Sequence, residues 1–351
     1  MWYTTLMDKE YSLRLIEKLS QATGLPGYED DVRKIIKEEL KDFEYSQDNI
    51  GNLVYTFKGK EDGKTILFCA HMDEIGFMVS DILETGYLRL ISLGGWSTLT
   101  LPSSPVEVIN QKGERHYGII GQISPHFIKK NQSVNVPDLS ELFVDIGAND
   151  DKDVKESFGI AIGDLVVPVA PFKYIKETDR VFSKAFDDRI GCAVLVELIR
   201  TFKECNNTVI FAFTTQEEVG ERGSAVLKNY IHPDITIVVE GAPADDMPSG
   251  PAHPLTREGK GAHIRIFDPS HIGSRDVLDR LRRVASSNGI IIQEAIRTGG
   301  GTDAVTMSRS GRGSKCVVTG VATRHAHSHN SSISLFDYYE LIKLLIGFYQ
   351  E

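Results

Sequence analysis

Residues 65–80 read TILFCAHMDEIGFMVS, and this stretch decides the fold. Its segment 66–70 is apolar at every position, which is typical of a central strand covered by helices on both faces. His71 and Asp73 follow directly, so polar side chains stand where a buried strand ends. In open α/β sheets, ligands bind at the carboxyl ends of the strands. The stretch therefore predicts a buried sheet with a polar site along that edge.

The rest of the chain supports this α/β interpretation. Helical spacing of apolar residues predicts one helix over residues 11–24 and a second that begins near Glu29. After Ala185, predicted helices at 190–202, 223–230, 277–285 and 335–348 alternate with predicted strands, whose sequences are TVIFAFTT, DITIVVE, AHIRIF, IIIQEAI and SKCVVTGVA. Alternation of this kind favours a mixed sheet covered by helices on both faces.

The segment 81–171 has a different pattern. Short β-like runs (YLRLISL, VEVI, HYGIIGQI, ELFVDI and LVVPVA) are separated by turns of Gly, Pro and Asn. This pattern predicts a small β-barrel-like domain inserted into the chain. We therefore expect a discontinuous α/β domain, residues 1–80 and 172–351, which carries the chemistry, and an inserted β domain at 81–171.

The composition excludes several functions. With 39 Lys and Arg against 49 Asp and Glu, the formal charge is −10, which argues against nucleic acid and anionic membranes as partners. The basic cluster within 275–283 is expected to be a solvated helix face. No apolar run approaches the roughly 20 residues of a membrane span, and no signal-peptide pattern is found, so a cytoplasmic location is expected. The four cysteines lack the C-x-x-C spacing of zinc and redox motifs.

Several segments carry candidate metal ligands and acid–base groups. His71 has Asp73 two residues later, and such a carboxylate can orient a ligating imidazole. Asp187 begins the pair Asp187-Asp188 at a predicted helix start, where it could bridge two ions or simply cap the helix. Glu217 and Glu218 follow the strand TVIFAFTT, and adjacent carboxylates are costly there unless a cation lies between them.

Further candidates stand after later strands. Glu240 ends the predicted strand DITIVVE, and three histidines alternate after VVTGVA, on one side of the chain if it stays extended: His325, His327 and His329. An exposed strand end and a surface loop are the ordinary alternatives. Taken together, His, Asp and Glu residues at strand ends are what a pair of divalent ions needs. The segment 298–304, TGGGTDA, allows close backbone approach to a ligand but lacks a phosphate-loop pattern.

The order and spacing of four motifs resemble one family: AHMDEIGFMV from Ala70, AFDDRIG from Ala185, TTQEEVGERGSA from Thr214 and TRHAHS from Thr323. This is the group of dinuclear metallo-aminopeptidases that includes tetrahedral, deblocking and glutamyl aminopeptidases, some of them labelled cellulases or endoglucanases. The resemblance covers essentially the whole chain, including ATGLPGYEDDVR. It implies a zinc-peptidase-like α/β fold and an inserted β domain used in oligomerisation, commonly into dodecamers.

The resemblance also implies roles for individual residues. His71 and Glu240 would bind one divalent ion, Glu218 and His327 would bind the other, and Asp187 would bridge the two. The expected metal is zinc, with cobalt or manganese as alternatives. Whether His325 or His329 assists the metal site stays open.

The remaining implied roles concern catalysis. Glu217 would be the general base, and Asp73 would orient His71. The glycine-rich loop would contact the substrate through Gly299, Gly300, Gly301, Thr302 and Asp303.

The predicted reaction is hydrolysis of the N-terminal peptide bond by a hydroxide that bridges the two ions, while Glu217 takes the proton. One alternative is another dinuclear hydrolase of the same fold, such as a deacylase, dipeptidase or carboxypeptidase. These enzymes need a group for a substrate carboxylate, often an Arg, and the 275–283 cluster offers candidates. The other alternative is a glycan-binding or scaffold protein built around the insertion, which would not depend on metal.

Overall fold

The computed structural model describes residues 8–60, 62–127 and 136–351. Its helices are α1 (Lys9–Gln21), α2 (Asp30–Glu39), α3 (Asp151–Glu156), α4 (Phe186–Arg200), α5 (Arg222–Leu227), α6 (Arg275–Asn288), α7 (Ala304–Met307) and α8 (Leu335–Gln350). None of the helices in these residues is long and apolar enough to cross a membrane.

The strands in chain order are β1 (Tyr45–Gln47), β2 (Leu53–Phe57), β3 (Thr65–His71), β4 (Gly76–Ile82), β5 (Leu88–Leu93), β6 (Pro105–Ile109), β7 (Arg115–Gly121), β8 (Phe143–Asp145), β9 (Leu165–Pro168), β10 (Lys173–Ile175), β11 (Arg180–Ser183), β12 (Thr208–Thr214), β13 (Ile235–Pro243), β14 (Ala262–Asp268), β15 (His271–Ile272), β16 (Ile292–Ile296), β17 (Lys315–Arg324) and β18 (Ser331–Ser334). They belong to two compact units. The larger contains the chain up to Glu74, Phe172–Ala326 and Asn330–Glu351, and the smaller contains Ile75–Pro171 and His327–His329.

The larger unit is built on a mixed sheet whose order is β1-β2-β12-β3-β13-β17-β18-β11-β10, with β14 pairing β17 and carrying β15 and β16. The four central strands β12, β3, β13 and β17 run parallel. Alternate residues of β3 enter two different hydrophobic clusters, Phe68 on one side and Leu67 on the other. Because both faces are covered, every residue of β3 after Thr65 is buried.

The smaller unit is a closed antiparallel barrel in the order β4-β5-β8-β7-β6-β9. Its core consists of inward-facing apolar residues, among them Phe77, Val106 and Val144. The predicted fold class, a mixed α/β sheet with an inserted small β-barrel, is thus confirmed.

The stretch 65–80 does not form one continuous strand. It divides into β3, which ends at His71 in the larger unit, and β4, which begins at Gly76 in the smaller unit. The four residues between them contain Asp73 and Glu74, whose buried carboxylates hold nearby backbone and basic groups. The break between the two strands therefore places polar side chains at the end of a buried strand.

Candidate metal centre

The carboxyl edge of the parallel strands collects most of the predicted site residues of the larger unit. Thr214 at the end of β12 stands in register with His71 at the end of β3, so Glu217 and Glu218 lie in the segment that directly follows the adjacent strand. Glu240 lies on β13, the neighbour of β3 on its other side. The expectation that Glu240 ends its strand is wrong, because β13 continues to Pro243 and buries Glu240 within it.

Three carboxylates surround one nitrogen of the His71 ring. The Nε2 atom lies 3.3 Å from Asp187 Oδ1, 3.8 Å from Glu240 Oε2 and 4.0 Å from Glu217 Oε2. Each member of the set His71, Asp187 and Glu240 offers a ligand atom within 4.8 Å of the others, and so does each member of the set His71, Glu217 and Glu218. Both sets therefore have the spacing of metal ligands.

The other nitrogen of His71 is turned away from these carboxylates. Its Nδ1 lies 3.1 Å from the backbone oxygen of Asp73 and 3.5 Å from the Asp73 carboxylate. An Nδ1–H that donates to these oxygens leaves the lone pair of Nε2 directed at the three carboxylates. This is the orientation that a histidine needs in order to bind a metal through Nε2.

The pKa values of the cluster follow from burial and like charge. Burial raises the pKa of Glu217 well above its usual value, and the neighbouring Glu240 and Glu218 carboxylates raise it further. Burial likewise raises the pKa of Glu240, with Asp188 and Asp187 adding to the effect. Burial by itself lowers the pKa of His71, but hydrogen bonds to Asp187 and Asp73 outweigh burial, so this pKa is raised well above 6.5. The cluster therefore favours a bound positive charge.

Asp73 connects the two adjacent strand ends. Its fully buried carboxylate accepts a hydrogen bond from the backbone N–H of Glu217 at Oδ1 and from that of Glu218 at Oδ2, each 3.0 Å long. One side chain thus touches His71 and also fixes the peptide groups that carry both glutamates.

The two aspartates at the start of α4 have different surroundings. Asp187 and Asp188 have non-helical backbone angles, so the pair does not open the helix in the ordinary way. Asp187 contacts His71, whereas the fully buried Asp188 accepts hydrogen bonds from the backbone N–H of His71 at 3.1 Å and of Gly191 at 3.0 Å. Asp188 therefore fixes the strand end that carries the ligand, a role that the sequence did not assign to it.

A second set of buried charges lies directly behind the strand end. Lys184 donates to both carboxylate oxygens of Glu74, at 2.5 and 2.6 Å, and Arg189 approaches the same carboxylate at 3.3 Å. The Arg189 guanidinium also donates to the backbone oxygens of Met72 and Gly24. Sequence analysis missed this set, although Lys184 and Arg189 flank AFDD and Glu74 follows HMD.

The glycine-rich loop splits into exposed and buried parts. Its three glycines, Gly299 to Gly301, are exposed, whereas Thr302 and Asp303 are buried. Asp303 Oδ2 accepts a hydrogen bond of 2.6 Å from the hydroxyl of Thr214, the residue that ends β12. Asp303 is therefore held at the end of β12, and its contact with substrate remains a prediction.

A cavity of about 230 Å³ lies beside this loop, and its lining includes Pro243, Thr256, Arg297 and Gly299. Arg297 donates to the Pro243 carbonyl and to the Thr256 hydroxyl, while its Nε atom is buried without a hydrogen-bond partner among residues 8–60, 62–127 and 136–351. Burial, with Arg265 nearby, lowers the pKa of Arg297 to about 10. The group remains cationic at neutral pH, so Arg297 gives the cavity a cationic side chain, beside the carboxylate of Asp245 in the same lining.

The three C-terminal histidines do not stay extended. His325 and His327 have positive φ angles of 57° and 58°, and the segment forms a turn after β17. His327 and His329 belong to the smaller unit, where His327 Nδ1 lies 2.7 Å from the backbone oxygen of Gly95. The role of His327 as a metal ligand stays a prediction.

The basic cluster on α6 is engaged with acidic side chains. Arg275 and Arg282 pair with Asp279, while Arg280 and Arg283 pair with the C-terminal residue, Glu351. Arg297 is therefore better placed than this cluster to meet a substrate carboxylate.

The donor set is suited to a divalent metal. A histidine nitrogen together with aspartate and glutamate oxygens binds zinc, and carboxylate oxygens also suit manganese. The raised pKa values of Glu217 and Glu240 fit the same conclusion, because bound cations would stabilise their ionised forms. A mixed α/β sheet whose carboxyl edge gathers His, Asp and Glu side chains is the arrangement expected of the class of metal-dependent hydrolases.

Comparison with known proteins narrows this class. Residues 51–344 match the M42 glutamyl aminopeptidase family. The glutamyl aminopeptidase of Lactococcus lactis is 30% identical over 329 residues, which cover 92% of this chain and 91% of that protein. The TET aminopeptidase of the marine sediment archaeon Thaumarchaeota archaeon SCGC AB-539-E09 is 36% identical, with 97% of both chains covered and a TM-score of 0.93.

A second similar structure is the Pyrococcus horikoshii TET1 peptidase, described as able to assemble into a tetrahedron or a large octahedral shell. It is 34% identical, covers 97% of this chain and 99% of its own, and has a TM-score of 0.85. This chain belongs to the M42 glutamyl aminopeptidase family. The family resemblance stated from the four motifs is thereby confirmed, and membership supports a peptide-hydrolysing aminopeptidase.

Proposed function

We propose that this chain is a metal-dependent aminopeptidase that removes the N-terminal residue of a peptide substrate. The observation that supports this function is the convergence of Asp187, Glu217 and Glu240 on Nε2 of His71. Buried carboxylates at such distances repel one another, and divalent cations would remove that repulsion.

We propose that two divalent ions bind per subunit, zinc first, with cobalt or manganese as alternatives. His71 and Glu240 would hold one ion, Glu218 and His327 would hold the other, and Asp187 would bridge them. When bound, the ions supply Lewis-acid chemistry, which lowers the pKa of a water molecule and stabilises negative charge on the scissile carbonyl.

The side chains around the ions have separate tasks in this proposal. A carboxylate oxygen of Glu217 takes a proton from the attacking water and passes it to the nitrogen of the leaving amine. Asp73 holds the backbone of Glu217 and Glu218 and orients His71, so both strand ends keep their geometry during the reaction. The exposed Gly299 to Gly301 segment allows a peptide backbone to approach closely.

Replacing the proposed base tests this function. We expect Glu217→Gln to lower kcat by roughly 10²- to 10⁴-fold, because the amide cannot accept the proton. Metal content, measured by elemental mass spectrometry, should stay unchanged. The same exchange at the exposed Glu38 of α2 is the matched control and should leave kcat unaltered. Wild-type turnover in Glu217→Gln would show that the base is another group.

We further propose that this enzyme prefers an acidic N-terminal residue. The cationic side chain of Arg297 in the cavity beside the glycine-rich loop supports this preference, as does the name of the Lactococcus lactis relative. The alternative is a dipeptidase or carboxypeptidase in which Arg297 meets the C-terminal carboxylate of the substrate. Glutamyl-amide substrates lack that carboxylate, so their turnover supports the aminopeptidase, whereas turnover of free dipeptides alone supports the alternative.

The domain assignment and the assembly are also proposals. Residues 1–80 and 172–351 would form the metal-bearing domain, and residues 81–171 would serve oligomerisation, with a dodecamer as the expected form. Exposed apolar side chains on the barrel support an interface, including Leu99, Tyr117 and Ile119. Light scattering of the purified full chain measures the assembly, and a monomer at micromolar concentration would contradict it. The cytoplasmic location remains a prediction.

A further inference from the structure

Three consecutive backbone N–H groups beside the metal ligands are held by two buried carboxylates. Glu29 Oε1 accepts from Gln216 N at 3.1 Å, and Asp73 accepts from Glu217 N and Glu218 N at 3.0 Å each. Glu29 and Asp73 are 1% and 0% exposed. In the turn that carries both glutamates, the backbone N–H of each of these three residues is therefore held by a buried carboxylate.

The backbone of this turn is unusual at the residue that Glu29 holds. Gln216 has a φ of 54°, in the left-handed region that residues other than glycine seldom adopt. Such conformations cost free energy and persist only where neighbouring contacts impose them. The hydrogen bond from Gln216 N to Glu29 is one contact of this kind, and it acts one residue before Glu217.

Glu29 is itself held from several sides. It stands at the N-cap position of α2, yet its side chain makes no hydrogen bond to that helix. Its Oε1 accepts instead from the Gly27 N–H at 2.8 Å and from the Thr215 hydroxyl, and Arg33 lies 3.5 Å from its other oxygen. A carboxylate fixed in this way presents its acceptor to the 215–216 backbone in one position.

We propose that Glu29 is a positioning residue for Glu217, acting through the backbone of Gln216. A carboxylate 187 residues away in sequence holds the left-handed turn, and the turn aims the Glu217 side chain at the reacting water. A misplacement of about 1 Å can cost about 10²-fold in rate, so loss of this contact acts on turnover rather than on substrate binding. This inference rests on the proposed role of Glu217 as the base.

Three substitutions at Glu29 test the proposal with the metal-loaded full chain. Glu29→Ala should lower kcat by about 10- to 100-fold while KM changes less than about threefold and metal content stays at the wild-type level. Glu29→Gln keeps an oxygen acceptor for Gln216 N and should restore kcat to within several-fold of wild type. Glu29→Asp withdraws the acceptor by one methylene and should lower kcat. If Glu29→Ala does not fold, the kcat of Glu29→Asp tests the positioning role in its place.

Glu197→Ala is the matched structural control. Glu197 is also a buried carboxylate, 4% exposed, and it accepts a 2.6 Å hydrogen bond from Ser12 on α1. Its loss should lower thermal stability and leave kcat near wild type. Wild-type kcat in Glu29→Ala or Glu29→Asp, or an equal fall in Glu197→Ala, would overturn the positioning role. If Glu217→Gln is itself fully active, the base assignment has failed instead.

Discussion

Two clusters of buried charge in the larger unit differ in how their charge is balanced. The edge cluster, His71 with Asp187, Glu217 and Glu240, places three carboxylates around one ring nitrogen. The clamp, Glu74 with Lys184 and Arg189, places two cationic side chains on one carboxylate. The clamp is balanced by the chain's own residues, whereas the edge cluster has an excess of negative charge around its single imidazole.

This difference indicates which cluster is suited to a bound cation. A buried charge is stable when it is paired and hydrogen-bonded, as Glu74 is, and costly when like charges face one another. In the edge cluster the cost shows in the raised pKa values of Glu217 and Glu240. The clamp therefore has a structural role, and the edge cluster has the properties of a cation site.

The largest expected difference between the two clusters comes from removing the proposed bridging ligand of the edge cluster. We expect Asp187→Ala to lose both ions together, because the carboxylate would be shared, and to lose about 10³-fold or more in activity. Elemental analysis of the purified protein measures metal per subunit. Full occupancy in this variant would exclude the bridging role.

The adjacent Asp188 supplies the matched control. Its carboxylate holds the backbone of His71 and Gly191 and is not a predicted ligand. Asp188→Asn should therefore lower stability, since an amide cannot accept both hydrogen bonds, while both ions remain bound. Loss of metal in Asp188→Asn to the same extent as in Asp187→Ala would mean that the two carboxylates do not have separate tasks.

Removing one cationic side chain from the clamp should lower the free energy of unfolding and leave the metal content unchanged. Lys184→Met leaves Glu74 buried with Arg189 as its remaining clamp partner, at 3.3 Å. Breaking a buried ion pair in this way costs about 3 kcal/mol, at the lower end of the usual range because Arg189 remains. Urea unfolding of the metal-saturated protein measures the loss.

A double variant sharpens this prediction. Removing the carboxylate as well, in Lys184→Met/Glu74→Leu, should lower stability further, because the buried guanidinium of Arg189 then loses its carboxylate partner. Equal costs in the single and double variants would show that Arg189 does not need Glu74 to balance its buried charge.

Much of the fold follows from local sequence patterns. The uninterrupted apolar run before His71 predicts a strand covered on both faces, and β3 is buried in this way. Parallel pairing then brings the ends of β3 and β12 to one edge, so adjacent strand ends identify His71, Glu217 and Glu218 together. These predictions succeed because the hydrophobic periodicity of a short segment is enough to predict a strand and its burial.

Other features depend on contacts between distant segments and leave little local signal. Glu29 meets Gln216 across 187 residues, and Lys184 meets Glu74 across 110, so charged residues that usually lie on the surface are buried here. The alternation of histidines likewise does not predict the turn at His325 and His327. Positive φ angles on residues other than glycine are imposed by their surroundings. Sequence therefore predicts which residues reach the edge better than it predicts what holds them there.

The smallest expected effect concerns Arg297 in the cavity beside the glycine-rich loop. Arg297 is the residue there whose buried Nε lacks a partner within the described part of the chain. A hydrogen bond to a charged group contributes about 1.5–3 kcal/mol, so Arg297→Ala should lower kcat/KM for a glutamyl substrate by roughly 10- to 100-fold. The value for a leucyl substrate should change much less, because an uncharged side chain gains little from the cation.

Two further variants separate recognition from general electrostatics. Arg297→Lys keeps the charge but not the planar fork, so it should retain part of the preference for glutamyl over leucyl substrates. Arg275→Ala removes the same charge from a side chain that is 94% exposed on α6 and should leave both substrates unaffected. A parallel fall for both substrates in Arg297→Ala would mean that Arg297 supports the fold of the loop rather than substrate choice. Arg297 would then have a structural role, as the clamp has, and within the described part of the chain the edge cluster would remain the candidate site for a ligand.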